Sequence, residues 1–207
     1  MTITNGYTTL AEVKSYLRIP ASDTIDDAAI ESAINAASRE IDSFTQRVFY
    51  DVGTATRTFV ATDIFTTDID DLQSITSLKT ASDGTTFNIT WNTSTDAQLE
   101  PLNSVSGGIT GHPFTRIRAI GDYLFPMYLP SNINYNQASV EVVGEWGWAA
   151  VPDQIAYATA LYAMRLWKRQ EAPLGLAGFG DIGVMRVSRL DPDISQLIQN
   201  FRKMSIA

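Results

Sequence analysis

The sequence predicts an α+β fold: a helical core formed by N- and C-terminal helices, with a β-rich, sandwich- or barrel-like module inserted between them. Three observations carry this. Apolar residues recur at helical spacing near both ends of the 207-residue chain. The middle is rich in threonine, valine and isoleucine in short alternating runs. Polar turn residues break those runs about every 8 to 12 residues, as in a sandwich or small barrel. The expected organisation is an N-terminal helical pair over 1–50, a β-rich module over 51–150, and a C-terminal helix, Gly-rich loop and short helix over 151–207. The helical parts should pack as one domain.

Thr9-Leu-Ala-Glu12 has the spacing of a capping box, and Leu10, Val13 and Leu17 then share one face. Pro20 should stop that helix. A second start lies at Thr24-Ile-Asp-Asp27. Behind it Ile30, Ile34, Ala37, Ile41 and Phe44 form a single stripe, the mark of a core face. Strands are expected at 56–60, 75–80, 86–91, 98–101, 115–120 and 138–143. Asp83-Gly84 is a hairpin signal, since a tight turn needs positive φ there. Pro152 suits a first helical turn, with Asp153 at the positive end of the helix dipole and Lys168 and Arg169 at the negative end. Residues 155–167 are apolar except for Thr159 and Arg165, so this helix should be enclosed by protein. Asp191 caps a last helix whose face is Ile194, Leu197, Ile198 and Phe201.

Composition narrows the function. Lys plus Arg number 15 against 23 Asp plus Glu, a net charge of −8, which is a poor balance for gripping phosphates. With no cysteine, there are no disulfides, thiol nucleophiles or Cys-metal sites, and His112 is the single histidine. The opening Met-Thr-Ile-Thr-Asn-Gly-Tyr lacks the basic start and apolar run of a secretory leader, and no membrane span is expected.

Candidate sites each have a plain reading beside them. Gly178-Phe-Gly180-Asp-Ile-Gly183 matches the dinucleotide fingerprint, but a helix leads in where a strand is required. Its glycines then serve tight turns. Asp68, Asp70 and Asp71 offer hard oxygen ligands, yet their spacing is not that of an EF-hand, and a solvated turn is expected. His112 sits in Gly111-His-Pro113, a loop context that suggests a surface histidine. Trp146 and Trp148, with Tyr123, Phe125 and Tyr128, form either a sugar-binding platform or hinge packing between the β zone and the helices. Hinge packing is favoured, because the tryptophans directly precede Pro152. No catalytic set, metal or cofactor is expected.

Two stretches carry a family resemblance. Val143-Gly-Glu-Trp-Gly-Trp-Ala-Ala-Val-Pro-Asp153, the apolar helix, and Ala172-Pro-Leu-Gly-Leu-Ala-Gly-Phe-Gly-Asp-Ile-Gly-Val-Met-Arg-Val-Ser-Arg-Leu-Asp-Pro-Asp193 resemble the C-terminal signature of tailed-bacteriophage head–tail connector (adaptor) proteins. Thr9-Leu-Ala-Glu-Val-Lys-Ser-Tyr-Leu17, Asp26-Asp27 and the helix over 30–44 resemble their N-terminal helical pair, a less specific signal. The resemblance implies a non-enzymatic virion protein of the neck, assembled in the host cytoplasm. It would form a homo-oligomeric ring, usually twelvefold, docked under the portal protein and joined to a tail or stopper protein. DNA would pass through without specific binding, and an acidic lining would keep it from sticking. Residues 174–189 are too apolar and glycine-rich for a solvated loop. Leu174, Phe179, Ile182, Met185 and Val187 are therefore expected to bury against a neighbouring subunit or the portal, with Arg186 and Arg189 facing acidic groups. The alternative is a β-rich carbohydrate-binding module of a phage or surface protein.

Overall fold

Thr9 and Glu12 open the first helix as their spacing predicts. In the computed structural model, which describes residues 2–81, 86–127, 138–170 and 192–203, helix α1 spans Leu10–Leu17. The Glu12 backbone N–H donates to Thr9 Oγ1 at 3.2 Å, and Glu12 Oε2 accepts from the Thr9 N–H at 3.1 Å. The Thr8 hydroxyl donates to the same carboxylate at 2.7 Å. That hydroxyl and the Thr9 N–H hold Glu12 below the usual carboxylate range. The helix ends because Arg18 turns left-handed, at φ 59°, and Pro20 lies beyond the stop. Lys14 is buried, yet its Nζ donates to Asp27 Oδ1 at 2.7 Å and to the carbonyls of Ala21 and Asp23. One ammonium thus ties α1 to the connection and to the first turn of α2, Asp27–Thr45.

The chain divides into two compact units, one of Met1–Phe49 with Val151–Ala207, the other of Tyr50–Ala150. In the first unit, Ile30, Ile34, Ala37 and Ile41 of the predicted stripe are buried. Helix α3, Asp153–Gln170, packs against α1, α2 and the short α4, Pro192–Ile198. Its buried face is Ile155, Ala158, Thr159, Ala160, Tyr162 and Ala163, mostly small side chains that allow close approach. Tyr157 stands exposed on the same helix, so α3 is not enclosed all round. Ile194, Ile198 and Phe201 are buried as expected, whereas the Asp191 cap lies outside the described residues.

Tyr7 gathers the ends of this unit. Its N–H donates to Ser38 Oγ at 3.2 Å, its hydroxyl donates to Asp42 and accepts from the Phe49 N–H at 2.9 Å. Its ring meets Phe49 edge-on at 5.6 Å, and Phe49 meets Phe201 in the same way at 5.6 Å. Each such aromatic pair adds about 0.5–1.5 kcal/mol beyond the area it buries. Burial and the bond to Asp42 push the Tyr7 phenol well above its ordinary value. Burial also raises Asp42, against the pull of Tyr7 and Arg39.

The second unit contains β1 (Asp51–Phe59), β2 (Thr66–Thr80), β3 (Ile89–Trp91), β4 (Ala97–Glu100), β5 (Val105–Ser106), β6 (Ile109–Thr110), β7 (Phe114–Ala119) and β8 (Val140–Gly147). The mixed α+β class is as expected, but the sandwich or barrel is not. Among the described residues the strands form one open, antiparallel, six-stranded sheet in the order β1-β8-β2-β7-β4, with β3 also on β2, plus a β5-β6 hairpin. The physical reason is β2. It runs for 15 residues, pairing with β7 over Thr66–Leu72 and with β8 over Leu72–Thr80. Three register shifts, at Asp68/Leu72, Leu72/Ser74 and Ile75/Ser77, let it bend, so one sheet covers a core on its own. Leu72, Leu78, Ile117, Val140, Val142 and Trp146 are central in that core. β2 and β3 pair as the hairpin signal requires, while Asp83-Gly84 lies outside the described residues.

The first and last strands of this unit lie side by side: Asp51 is opposite Gly147, and the Trp148 N–H donates to the Tyr50 carbonyl at 3.2 Å. Gly147 has φ +90°, and a Cβ there would sit 2.2 Å from the Tyr50 oxygen. A Cβ on Gly144 would sit 2.3 Å from the Ser74 oxygen.

Two outcomes are expected. Gly53 shares the left-handed backbone, at φ +82°, but has open space around its Cβ position. Gly53→Ala should therefore cost about 1 kcal/mol by backbone strain alone. Gly147→Ala should cost roughly 3 kcal/mol or more, because the clash adds to the strain; urea unfolding of both variants checks the difference. The second outcome concerns pH. The folded state holds the Tyr7 proton more tightly than the unfolded chain, whose phenol titrates near 10. The stabilisation is therefore complete below that value and is lost above it, at about 1.4 kcal/mol per pH unit. Tyr7→Phe should cost about 1–3 kcal/mol at neutral pH, by leaving the Phe49 N–H and Asp42 without their partner. It should also remove this alkaline component, as read by unfolding curves at stepped pH.

Candidate assembly surfaces

Ion pairs link the strands of the sheet. Arg57 reaches Asp70 at 2.8 Å, Arg116 reaches Asp68 at 2.6 Å, Arg118 reaches Glu100 at 2.6 Å and Lys79 reaches Glu141 at 3.5 Å. Arg118 holds Glu100 below the usual carboxylate range, and Asp68 pushes Arg116 up. These contacts correct the reading of Asp68, Asp70 and Asp71 as a solvated turn. All three lie within β2, and their charges are met by arginines of β7 and β1 and by the Trp148 indole N–H, which donates to Asp71 at 3.0 Å. No group of three or more His, Asp or Glu that could hold a metal is found among the described residues.

Trp146 and Trp148 are both buried. Trp146 Nε1 donates to the Ala55 carbonyl at 2.8 Å, its ring lies 5.6 Å from Phe59, and the Arg57 guanidinium stands 4.6 Å over it. Trp148 bonds Asp71 and meets the His112 ring edge-on at 5.1 Å. Neither indole face is open to a sugar. Phe125 is buried against Trp91 at 4.7 Å, Tyr123 stacks on Trp91 at 5.3 Å, and Tyr128 lies outside the described residues. His112 is not the surface histidine its loop suggested. It is buried, its N–H donates to the Ser104 carbonyl at 2.9 Å, and its Nδ1 lies 2.6 Å from the Pro113 oxygen.

The expected docking residues Leu174, Phe179, Ile182, Met185, Arg186, Val187 and Arg189 lie outside the described residues, as does the glycine-rich fingerprint. Other exposed apolar groups were missed from the sequence. Tyr16 and Tyr157 form an exposed edge-on pair at 6.1 Å between α1 and α3. Ile64, Phe65, Ile120 and Leu124 are exposed at one end of the β unit. An apolar pair inside Asp63-Ile-Phe-Thr66 was the available signal, but such a pair reads equally well as the start of a strand. No helix among the described residues is long and apolar enough to cross a membrane.

Residues 7–77 match the family profile described as phage gp6-like head-tail connector protein. The connector resemblance is therefore borne out, over the helical pair, β1 and most of β2. The match falls on the end whose sequence signal was the less specific of the two. The fold is similar to a chain in the neck of an empty GTA particle computed with C6 symmetry, at 21% identity and a TM-score of 0.56, covering 100% of this chain and 95% of that one. It is similar to the same degree, 21% identity and a TM-score of 0.56 over 100% and 95% of the two chains, to a chain in the virion of a native gene transfer agent particle. At this identity the likeness is one of fold. The comparison with curated proteins returned no match.

The ion pairs give a direct expectation. Asp68 and Asp70 are about half exposed, so their bridges are solvent-screened. Asp68→Asn and Asp70→Asn should each change the unfolding free energy by less than about 1 kcal/mol. Millimolar Ca²⁺ should leave the Tm unchanged in a thermal melt, whereas a rise would point to a cation held by these carboxylates.

Proposed function

We propose that this chain is a structural head–tail connector in the neck of a phage-like particle. Copies would close into a ring under the portal, the twelvefold ring implied by the family resemblance, and would join the capsid to a tail or stopper protein around the DNA channel. The observation that carries this reading is the family match over residues 7–77. The fold likeness to chains of gene transfer agent necks and virions supports it, and sixfold symmetry is contained in a twelvefold ring. The charge supports it too: a net −8 per copy, repeated around a ring, makes a lining that repels passing DNA. In this reading the helices of both chain ends build the ring wall. Residues 174–189 dock on a neighbour or on the portal, Trp146 and Trp148 belong to the packing at the edge of the β module, and the chain performs no catalysis. Assembly takes place in the host cytoplasm before the protein is built into the virion. The carbohydrate-binding alternative has no observation in its favour, since its tryptophans are buried.

Cryo-EM of assembled particles tests the reading: the chain's fold should fit density between portal and tail, and finding it elsewhere would overturn the assignment. Phe179→Asp with Met185→Asp should leave the free chain folded by circular dichroism but give heads without joined tails. Normal tailed particles from that double variant would remove the docking role of 174–189.

A further inference from the structure

One end of the β unit displays apolar side chains on a rigid frame. Ile64 and Phe65 come from the β1–β2 connection; Ile120, Tyr123 and Leu124 follow β7. Each is between 41% and 54% exposed. The two segments are locked together by backbone bonds: the Phe65 carbonyl accepts from the Ala119 N–H at 2.8 Å, and the Ile64 carbonyl accepts from the Phe125 N–H at 2.9 Å. The Ile120 N–H donates to the Asp96 carbonyl at 3.0 Å. Within the connection the Asp63 carboxylate accepts from the N–H groups of Phe65 and Thr66 and from the Thr66 hydroxyl, each at 2.7 Å. Gly121 lies so close to Asp96 that a Cβ would sit 2.9 Å from its carboxylate oxygen. Such a surface has little ordering entropy left to lose on binding, and clustered exposed apolar groups mark interaction sites.

The rim of this patch selects the partner. Asp63, Asp96 and Asp122 flank it. The nearby cations, Arg116 and Arg118, are engaged by Asp68 and Glu100 at 2.6 Å each. The field over the patch is therefore negative. A second copy docking through the same patch would set aspartates against aspartates, and an anionic membrane would be repelled. We propose that this tip of the β unit, residues 62–65 and 119–124, is a docking surface for a different protein segment, one that carries apolar side chains flanked by lysine or arginine. The proposal does not depend on the neck reading, because it rests on the surface alone.

The test uses the full chain and two synthetic amphipathic peptides, one of leucine and lysine, the other of leucine and glutamate, followed by methyl NMR. The leucine–lysine peptide should shift the methyl resonances of Ile64, Ile120 and Leu124 saturably, and the leucine–glutamate peptide should not. Phe65→Ser and Leu124→Ser alter exposed side chains and should keep the native circular dichroism while weakening binding about tenfold each. Asp122→Lys should weaken it by about threefold, an effect that added salt diminishes. Peptide shifts spread over the acidic surface, or binding unchanged by Phe65→Ser, would overturn the proposal. Self-association in sedimentation that Phe65→Ser abolishes would replace it with a contact between copies. Adsorption to phosphatidylglycerol vesicles lost in the same variant would replace it with a membrane surface.

Discussion

The pairing of β1 with β8 is the constraint from which the β unit takes its form. These are its first and last strands, and their ladder joins Asp51 to Gly147 and Phe59 to Val140. The ladder brings the Tyr50 carbonyl against the backbone of residues 147 and 148, closely enough that only glycine fits at 147. Gly144, three residues earlier on β8, lets Ser74 of β2 approach where β2 shifts register. Trp146, between the two glycines, is fully buried and hands its indole N–H to Ala55 of β1. The run Gly-Glu-Trp-Gly-Trp thus has a mechanical meaning. It supplies close approach, a large apolar anchor and a tight bend at the place where the chain leaves the sheet.

The helical unit relies on another device, the buried polar group whose every partner is supplied. Lys14 would be costly where it lies without Asp27 and two carbonyls around its ammonium. Tyr7 is in the same position, with its hydroxyl both giving and accepting. Such groups specify one arrangement of their neighbours, because any slip strands a donor or a charge. Around Tyr7 the specification reaches residues 38, 42 and 49, and through the aromatic contacts residue 201. Residues from both ends of the chain are thereby held in one core.

Local signals were legible and long-range ones were not. The capping box, the stripe from Ile30 to Ile41 and the strands over 56–60 and 75–80 rest on spacing within a few residues, and the structure places them there. Asp68, Asp70 and Asp71 suggest a solvated turn from the sequence alone, and aspartate is rare in strands. What overrides them comes from far along the chain: Arg116 opposite Asp68 and the Trp148 indole beside Asp71. His112 was misplaced for the same reason, since nothing near Gly111-His-Pro113 announces Trp148. A sandwich was expected from the number and spacing of the runs. Spacing does not reveal that one long bent strand serves two neighbours. The exposed tip at Ile64 and Phe65 escaped because an apolar pair beside a strand looks like part of it.

The adjacency of Tyr50 and Trp148 also bears on how such a chain can change over generations. A segment whose two ends already touch imposes on its host no more than the closure entropy of a short turn, however many residues it contains. Lengthening, shortening or exchanging everything between those two residues leaves the host's own folding problem unaltered. The β unit is in this sense a cassette: its size is free to drift, while the few residues at its neck, with Gly147 foremost, are not.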